Sequence, residues 1–183
     1  MRLAFLGIGI LLLMIGGASG QNVSDPDLVK QLQHLFPTAA TFSPKGGSPA
    51  VYKAFAAAPA GKTGELLGFA YWTTEIEPLE RGFDGPIKML VGLNMSGALT
   101  GIIVTENREP YGYFSVDLPE FAAQFKNKNI RDAFKVGADV DAISRATISV
   151  TSASRAIRNS SRKVARAYLT PPPGAAAPAS AAQ

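Results

Sequence analysis

Hydroxyl groups crowd one short stretch of the chain. Ser144, Thr147, Ser149, Thr151 and Ser152 follow Asp141-Ala142-Ile143, and a helical pattern opens directly behind them. Val150, Ala153, Ile157, Val164 and Tyr168 recur on one side of that helix, which runs to about Tyr168. Arg155, Arg158, Arg162 and Arg166 recur at spacings of three and four on another side. The first turn of a helix presents backbone N–H groups without intrahelical partners and carries partial positive charge, so it attracts a phosphate. The same residues are also the ingredients of an ordinary Ser/Thr cap. Residue types alone leave both readings standing.

Asp141, Ser144, Ala146 and Thr147 resemble the flavinylation motif of FMN-binding domains, roughly D-x-x-S/T-G-A-T. That motif occurs in the RnfG and NqrC subunits of membrane redox complexes and in the periplasmic domain of NosR/NirI proteins, which this chain resembles most. The resemblance implies FMN as cofactor, joined to the Thr147 hydroxyl through a phosphoester by a separate flavin transferase. It implies Asp141, Ser144 and Ala146 as the pattern the transferase recognises, with Ile148 and Ser149 completing the cofactor-binding stretch. One position departs: Arg145 stands where the family commonly has Gly, and a side chain there disfavours a left-handed turn.

The elements that must position this stretch can be taken in order. Ser24-Asp25-Pro26 opens a short helix, with Ser24 as the expected N-cap and Leu28, Val29, Leu32, Leu35 and Phe36 as its apolar face. The passage Leu35-Phe36-Pro37-x-Ala39-x-x-Phe42 also resembles the FMN-binding family. Residues 50–56 and 66–74 have strand character around a loop containing Pro59, Gly61 and Gly64. Trp72 admits two readings, sheet packing or stacking on a flavin. Glu75, Glu77 and Glu80 read as a solvated loop.

Gly82-Phe83-Asp84-Gly85-Pro86 is a compact turn by its chemistry; the alternative is that Asp84 and Gly85 offer backbone amides to a flavin pocket. Residues 87–93 and 98–105 are β-rich runs around Asn94-Met95-Ser96-Gly97, the clearest hairpin in the chain. This region resembles the strand pair that begins the family's FMN-binding module. Glu106 to Pro110 interrupt the strand pattern where members of the resembled family commonly place a charged loop near the flavin, and Tyr111, Tyr113 and Phe114 either wall a pocket or cover a sheet edge. Asp117 is the expected cap of a helix carrying Phe121 and Phe125. Lys126, Lys128, Arg131 and Lys135 read as a solvated basic stretch.

Both ends have a different character. Arg2, the apolar run from Leu3 to Ile15 and the small residues Gly16 to Gly20 read as a secretory signal peptide, or alternatively as an N-terminal membrane anchor. Residues 170–183 are proline- and alanine-rich and are expected to be a disordered tail. The domain itself is expected over residues 24–169.

Composition excludes several chemistries. The chain has no cysteine, so it forms neither disulfides nor cysteine-bound iron–sulfur clusters. Its one histidine, His34, lies on the N-terminal helix, which argues against a transition-metal site and a Ser-His-Asp set. No phosphate loop of the P-loop or dinucleotide type occurs. A formal net charge of +4 is too small to argue for nucleic acid. A covalently held flavin suits this inventory, since the cofactor brings its own redox chemistry.

The resulting expectation is an α+β domain, a small antiparallel sheet with packed helices. Its function is that of an exported electron-transfer flavoprotein rather than a stand-alone enzyme. It would sit in the periplasm or on the outer face of the cytoplasmic membrane and serve a membrane or periplasmic redox protein. The alternative is a non-redox periplasmic regulatory or binding module of the NosR/NirI type that carries no flavin. The arginine row on the last helix adds a further expectation of peripheral contact with anionic membrane, set against a solvated helix face.

Overall fold

The computed structural model describes residues 23–169. The signal peptide or anchor expected at 1–20 and the tail at 170–183 lie outside the described residues. No helix among the described residues is long and apolar enough to cross a membrane.

Five strands form one antiparallel sheet in sequence order: β1 (Thr41–Phe42), β2 (Tyr52–Phe55), β3 (Leu66–Trp72), β4 (Lys88–Asn94) and β5 (Leu99–Glu106). Among the described residues, four α-helices accompany them: α1 (Pro26–Leu35), α2 (Thr73–Ile76), α3 (Pro119–Ala123) and α4 (Thr147–Tyr168). The architecture is α+β.

Alternation along β3 and β4 sends side chains to two separate cores. Phe69, Tyr71, Met89, Val91 and Leu93 face α4 and pack with Val150, Ala153, Ile157 and Val164. Ala70, Leu90 and the half-buried Leu67, Trp72 and Ile103 face α1 and pack with Leu32, Leu35 and Phe36. The sheet is thus covered by a helix on each side.

The β4–β5 hairpin closes as its residues dictate. Asn94 Oδ1 accepts from the Ser96 N–H at 3.0 Å, the Ser96 hydroxyl at 2.7 Å and the Ala98 N–H at 2.9 Å. Gly97 completes the turn at φ +80°.

Several local expectations are corrected. Asp25, not Ser24, caps α1: its carboxylate accepts from Asp27 N–H at 3.0 Å, and Pro26 begins the helix. Strand β3 stops at Trp72, and the chain turns at once into α2, where strand was expected to Thr74. Asp117 does not cap α3, whose N-cap is Leu118; the Asp117 carboxylate accepts instead from Asn107 Nδ2 at 2.6 Å. The acidic loop is solvated only in part: Glu75 is exposed, but Glu77 and Glu80 are half-buried, and all three have cationic partners. Glu75 pairs with Lys45 at 2.7 Å, Glu77 lies 2.8 Å from Lys163 Nζ, and Glu80 pairs with Arg155 at 2.6 Å.

The arginine row is likewise partly engaged. Arg155 donates to both Glu80 oxygens, and Arg162 donates to the carbonyls of Ile130 and Asp132, each at 2.8 Å. In the basic stretch, Lys128 pairs with Asp139 at 3.2 Å. Burial works against the Asp139 carboxylate, but the Lys135 and Phe134 N–H groups and Lys128 outweigh it and hold the group below its ordinary value.

Candidate functional site

Helix α4 begins at Thr147, with Ala146 as its N-cap, and among the described residues no side chain caps the N–H groups of its first turn. The Ser/Thr-cap reading of this stretch is therefore not realised. Ser144 stands outside the helix on an exposed turn, and the Ser149 hydroxyl is directed elsewhere. What remains is an open helix start, about 33 Å of aligned peptide dipoles behind it for 22 residues.

The chain reaches that start through Arg145, whose φ is +69°. Its backbone adopts the left-handed conformation that a glycine takes without strain. An arginine there is tolerated, at a conformational cost, because the surrounding packing fixes the turn. Ala146, the next residue, is buried in the core beneath it.

Opposite the helix start lies the turn 82–85, in which Gly82 N–H donates to Gly85 O at 2.7 Å. Glu109 holds the two together. Its carboxylate is buried, accepts the Phe83 N–H at 2.9 Å and the Asp84 N–H at 3.1 Å, and also accepts the Ser149 hydroxyl. Glu109 is itself fixed by the loop leaving β5: Asn107 Oδ1 accepts its N–H at 3.0 Å, and its carbonyl accepts from Gly112 at 3.0 Å. A Cβ at position 82 would fall too close to a carboxylate oxygen, so a side chain there would have to displace Glu109 from this position.

Between these parts opens a half-enclosed cavity of about 270 Å³. Phe83, Pro110, Tyr111, Arg145, Ala146, Thr147, Ile148 and Ser149 line it. Thr147, Ile148, Phe83 and Tyr111 are all exposed there. The site thus combines an uncapped helix start, a cation, an exposed hydroxyl and two aromatic walls.

The sequence-derived candidates divide into two groups. Thr147, Ala146, Ile148 and Ser149 line the cavity. Asp141, Ser144, Asp84 and Gly85 do not. Asp141 is exposed, with its N–H donating to Gln124 Oε1 at 2.7 Å. Asp84 is exposed, its N–H committed to Glu109, and Gly85 is buried in its own turn. Trp72 faces the α1 core on the other side of the sheet, with Lys88 Nζ 4.9 Å from its ring centroid, which removes it from the flavin-stacking reading. The loop 106–110, expected near the flavin from the family resemblance, does border the cavity through Pro110, with Glu109 bonded behind its wall. Sequence reasoning missed the individual roles of Phe83 and Glu109, which no local pattern marks.

Residues 82–162 match the family model of the FMN-binding domain. This stretch of the chain belongs to the FMN-binding domain family. It opens at Gly82, contains every residue lining the cavity, and ends within α4; α1, α2 and strands β1 to β3 precede it. No curated protein matches the chain closely.

FMN is the cofactor of this domain, and the site fits it. A phosphate suits the uncapped α4 start and Arg145, since both stabilise an anion. A flat aromatic ring suits the Phe83 and Tyr111 walls. A volume of about 270 Å³ is at the small end of ligand pockets, so it would house part of the nucleotide and leave part exposed. A larger groove of about 650 Å³ lies at the other end of α4, lined by Arg131, Arg162 and Arg166 among others. It contains no aromatic wall and none of residues 141–149.

Proposed function

We propose that FMN is attached to Thr147 as a phosphoester and that the domain works as a one-electron or two-electron relay. The observation that carries this reading is the placement of an exposed threonine hydroxyl at the first position of an uncapped helix, inside an aromatic-walled cavity. A phosphoryl group on Thr147 would lie against the unpartnered N–H groups of its own helix start, where the dipole favours it. Attachment forms a bond from the Thr147 oxygen to the FMN phosphorus of a flavin dinucleotide donor held by a separate transferase; the donor's pyrophosphate P–O bond breaks, the nucleoside monophosphate leaves and the hydroxyl proton is released.

The bound flavin supplies the redox chemistry. The chain holds the phosphate, walls the ring and keeps water from part of it. No general base is needed, which agrees with the absence of histidine from the cavity. A tether also keeps the cofactor from diffusing away, an advantage outside the cytoplasm. That location, a membrane or periplasmic redox partner, and kinship to the NosR/NirI-type domain belong to the same proposal. Redox titration of the flavin-loaded domain tests the relay. Reversible reduction and reoxidation support it, and a flavin that cannot be cycled contradicts it.

A further inference from the structure

Burying a carboxylate without a counter-ion is costly unless hydrogen bonds replace its water. Glu109 is 7% exposed, and among the described residues no cationic side chain lies within 4.0 Å of it. Three donors compensate: the N–H groups of Phe83 and Asp84, and the Ser149 hydroxyl. Ser149 is the third residue of α4, so the carboxylate also faces the positive end of that helix. The donors come from two separate walls of the cavity, because Phe83 and Ser149 both line it. The absence of a side chain at Gly82 leaves the room that the carboxylate occupies.

We propose that Glu109 is the positioning residue of the flavin site, clasping the Phe83 turn to the Thr147 helix start and holding a fixed negative charge behind the cavity wall. The proposal rests on the flavin reading above and extends it to a residue outside the attachment motif. Two consequences are separable. As a clasp, Glu109 sets the spacing between the Phe83 wall and the helix start. As a charge, it opposes the addition of an electron to the neighbouring cofactor and so lowers the reduction potential.

The test compares Glu109→Gln and Ser149→Ala with the wild type. In protein without flavin, amide hydrogen exchange reads the clasp. Gln retains one acceptor oxygen, so the Phe83 or Asp84 amide should exchange about tenfold faster in Glu109→Gln, as for one lost hydrogen bond to a charged group. Unchanged exchange at both amides would overturn the clasp. In protein carrying the adduct, dithionite titration reads the charge. The midpoint potential should rise in Glu109→Gln and should not rise in Ser149→Ala, which keeps the carboxylate.

A lowered Tm with an unchanged potential would mean that Glu109 is merely structural, and an equal rise in Ser149→Ala would show that its charge is not responsible. Either result overturns the electrostatic role. Should Glu109→Gln fail to fold, Ser149→Ala still decides the clasp, through faster exchange at the Phe83 and Asp84 amides, and unchanged exchange there would overturn it. A wild-type chain that takes no flavin would instead sink the parent reading, leaving hydrogen exchange to judge the clasp by itself.

Discussion

The two ends of α4 are built in opposite ways. From Arg155 onward, the helix is tied at nearly every turn: Arg155 to Glu80, Arg162 to two backbone carbonyls, Lys163 beside Glu77, and the Tyr168 hydroxyl to Pro49 O at 2.6 Å. Between them Ser161 accepts from the buried Tyr71 hydroxyl at 2.7 Å, and burial pushes the Tyr71 hydroxyl well above its ordinary value, so it stays neutral. At the other end, no side chain among the described residues caps the first turn, Arg145 sits in a left-handed conformation, and Ile148 and Phe83 are exposed. An unsatisfied, strained helix start is affordable only on a helix anchored elsewhere. The anchored end supplies stability; the open end borders the aromatic-walled cavity.

That contrast can be broken by substitution, beginning where the effect is largest. Ile157 is fully buried beneath the anchored half. Its replacement by Ala should destabilise the domain by about 3 kcal/mol, read by urea denaturation. Arg162→Ala leaves the Ile130 and Asp132 carbonyls without their guanidinium donor, and a loss of about 1–2 kcal/mol is expected in the same assay.

The Glu80–Arg155 pair is smaller still and depends on pH. Hydrogen bonding from Arg155 holds the Glu80 carboxyl below its ordinary value. A group with a depressed folded-state value contributes stability above its ordinary value of 4.5, and that contribution fades as pH falls through the depressed value. The Arg155 side chain is 49% exposed, so screening limits the pair to about 1 kcal/mol at neutral pH. Arg155→Ala should therefore destabilise at pH 7 and converge with the wild type in acid, as denaturation at a series of pH values would show.

At the open end the sign should reverse. Arg145→Gly removes a left-handed side chain and is expected to stabilise by about 0.5 kcal/mol, net of the greater chain entropy of glycine. A destabilised Arg145→Gly protein would mean that Arg145 contributes contacts outweighing its backbone strain.

Much of this was legible beforehand, for reasons that depend on range. The hairpin around Asn94–Gly97 and the apolar stripe of α4 are local patterns with period two and 3.6, and both appear where expected. The flavin motif is likewise local. The neighbourhood of Glu109 was legible from the family resemblance, but its burial was not, because nothing local marks which charged side chain of the loop turns inward until the fold brings the Phe83 amide and the Ser149 hydroxyl to it from 26 and 40 residues away. The pairings of Glu75, Glu77 and Glu80 are equally unmarked, because their partners lie on other elements. Trp72 shows a third kind of limit: its face follows from β3 register, and one residue of shift would have exchanged the two cores. Asp25 against Ser24 is the mildest case, two good caps side by side, decided by which one Pro26 follows.

The central claim is that the open start of α4 carries flavin on Thr147. Thr147 is exposed, and among the described residues its side chain has no hydrogen-bond partner, so Thr147→Val should change stability by less than about 0.5 kcal/mol. The decisive measurement is intact and peptide mass spectrometry after co-expression with a flavin transferase and export, with Thr147→Val as control. The account predicts the mass of FMN less one water on the peptide containing Thr147, absent from the control. An unmodified Thr147 peptide in the presence of an active transferase would contradict it.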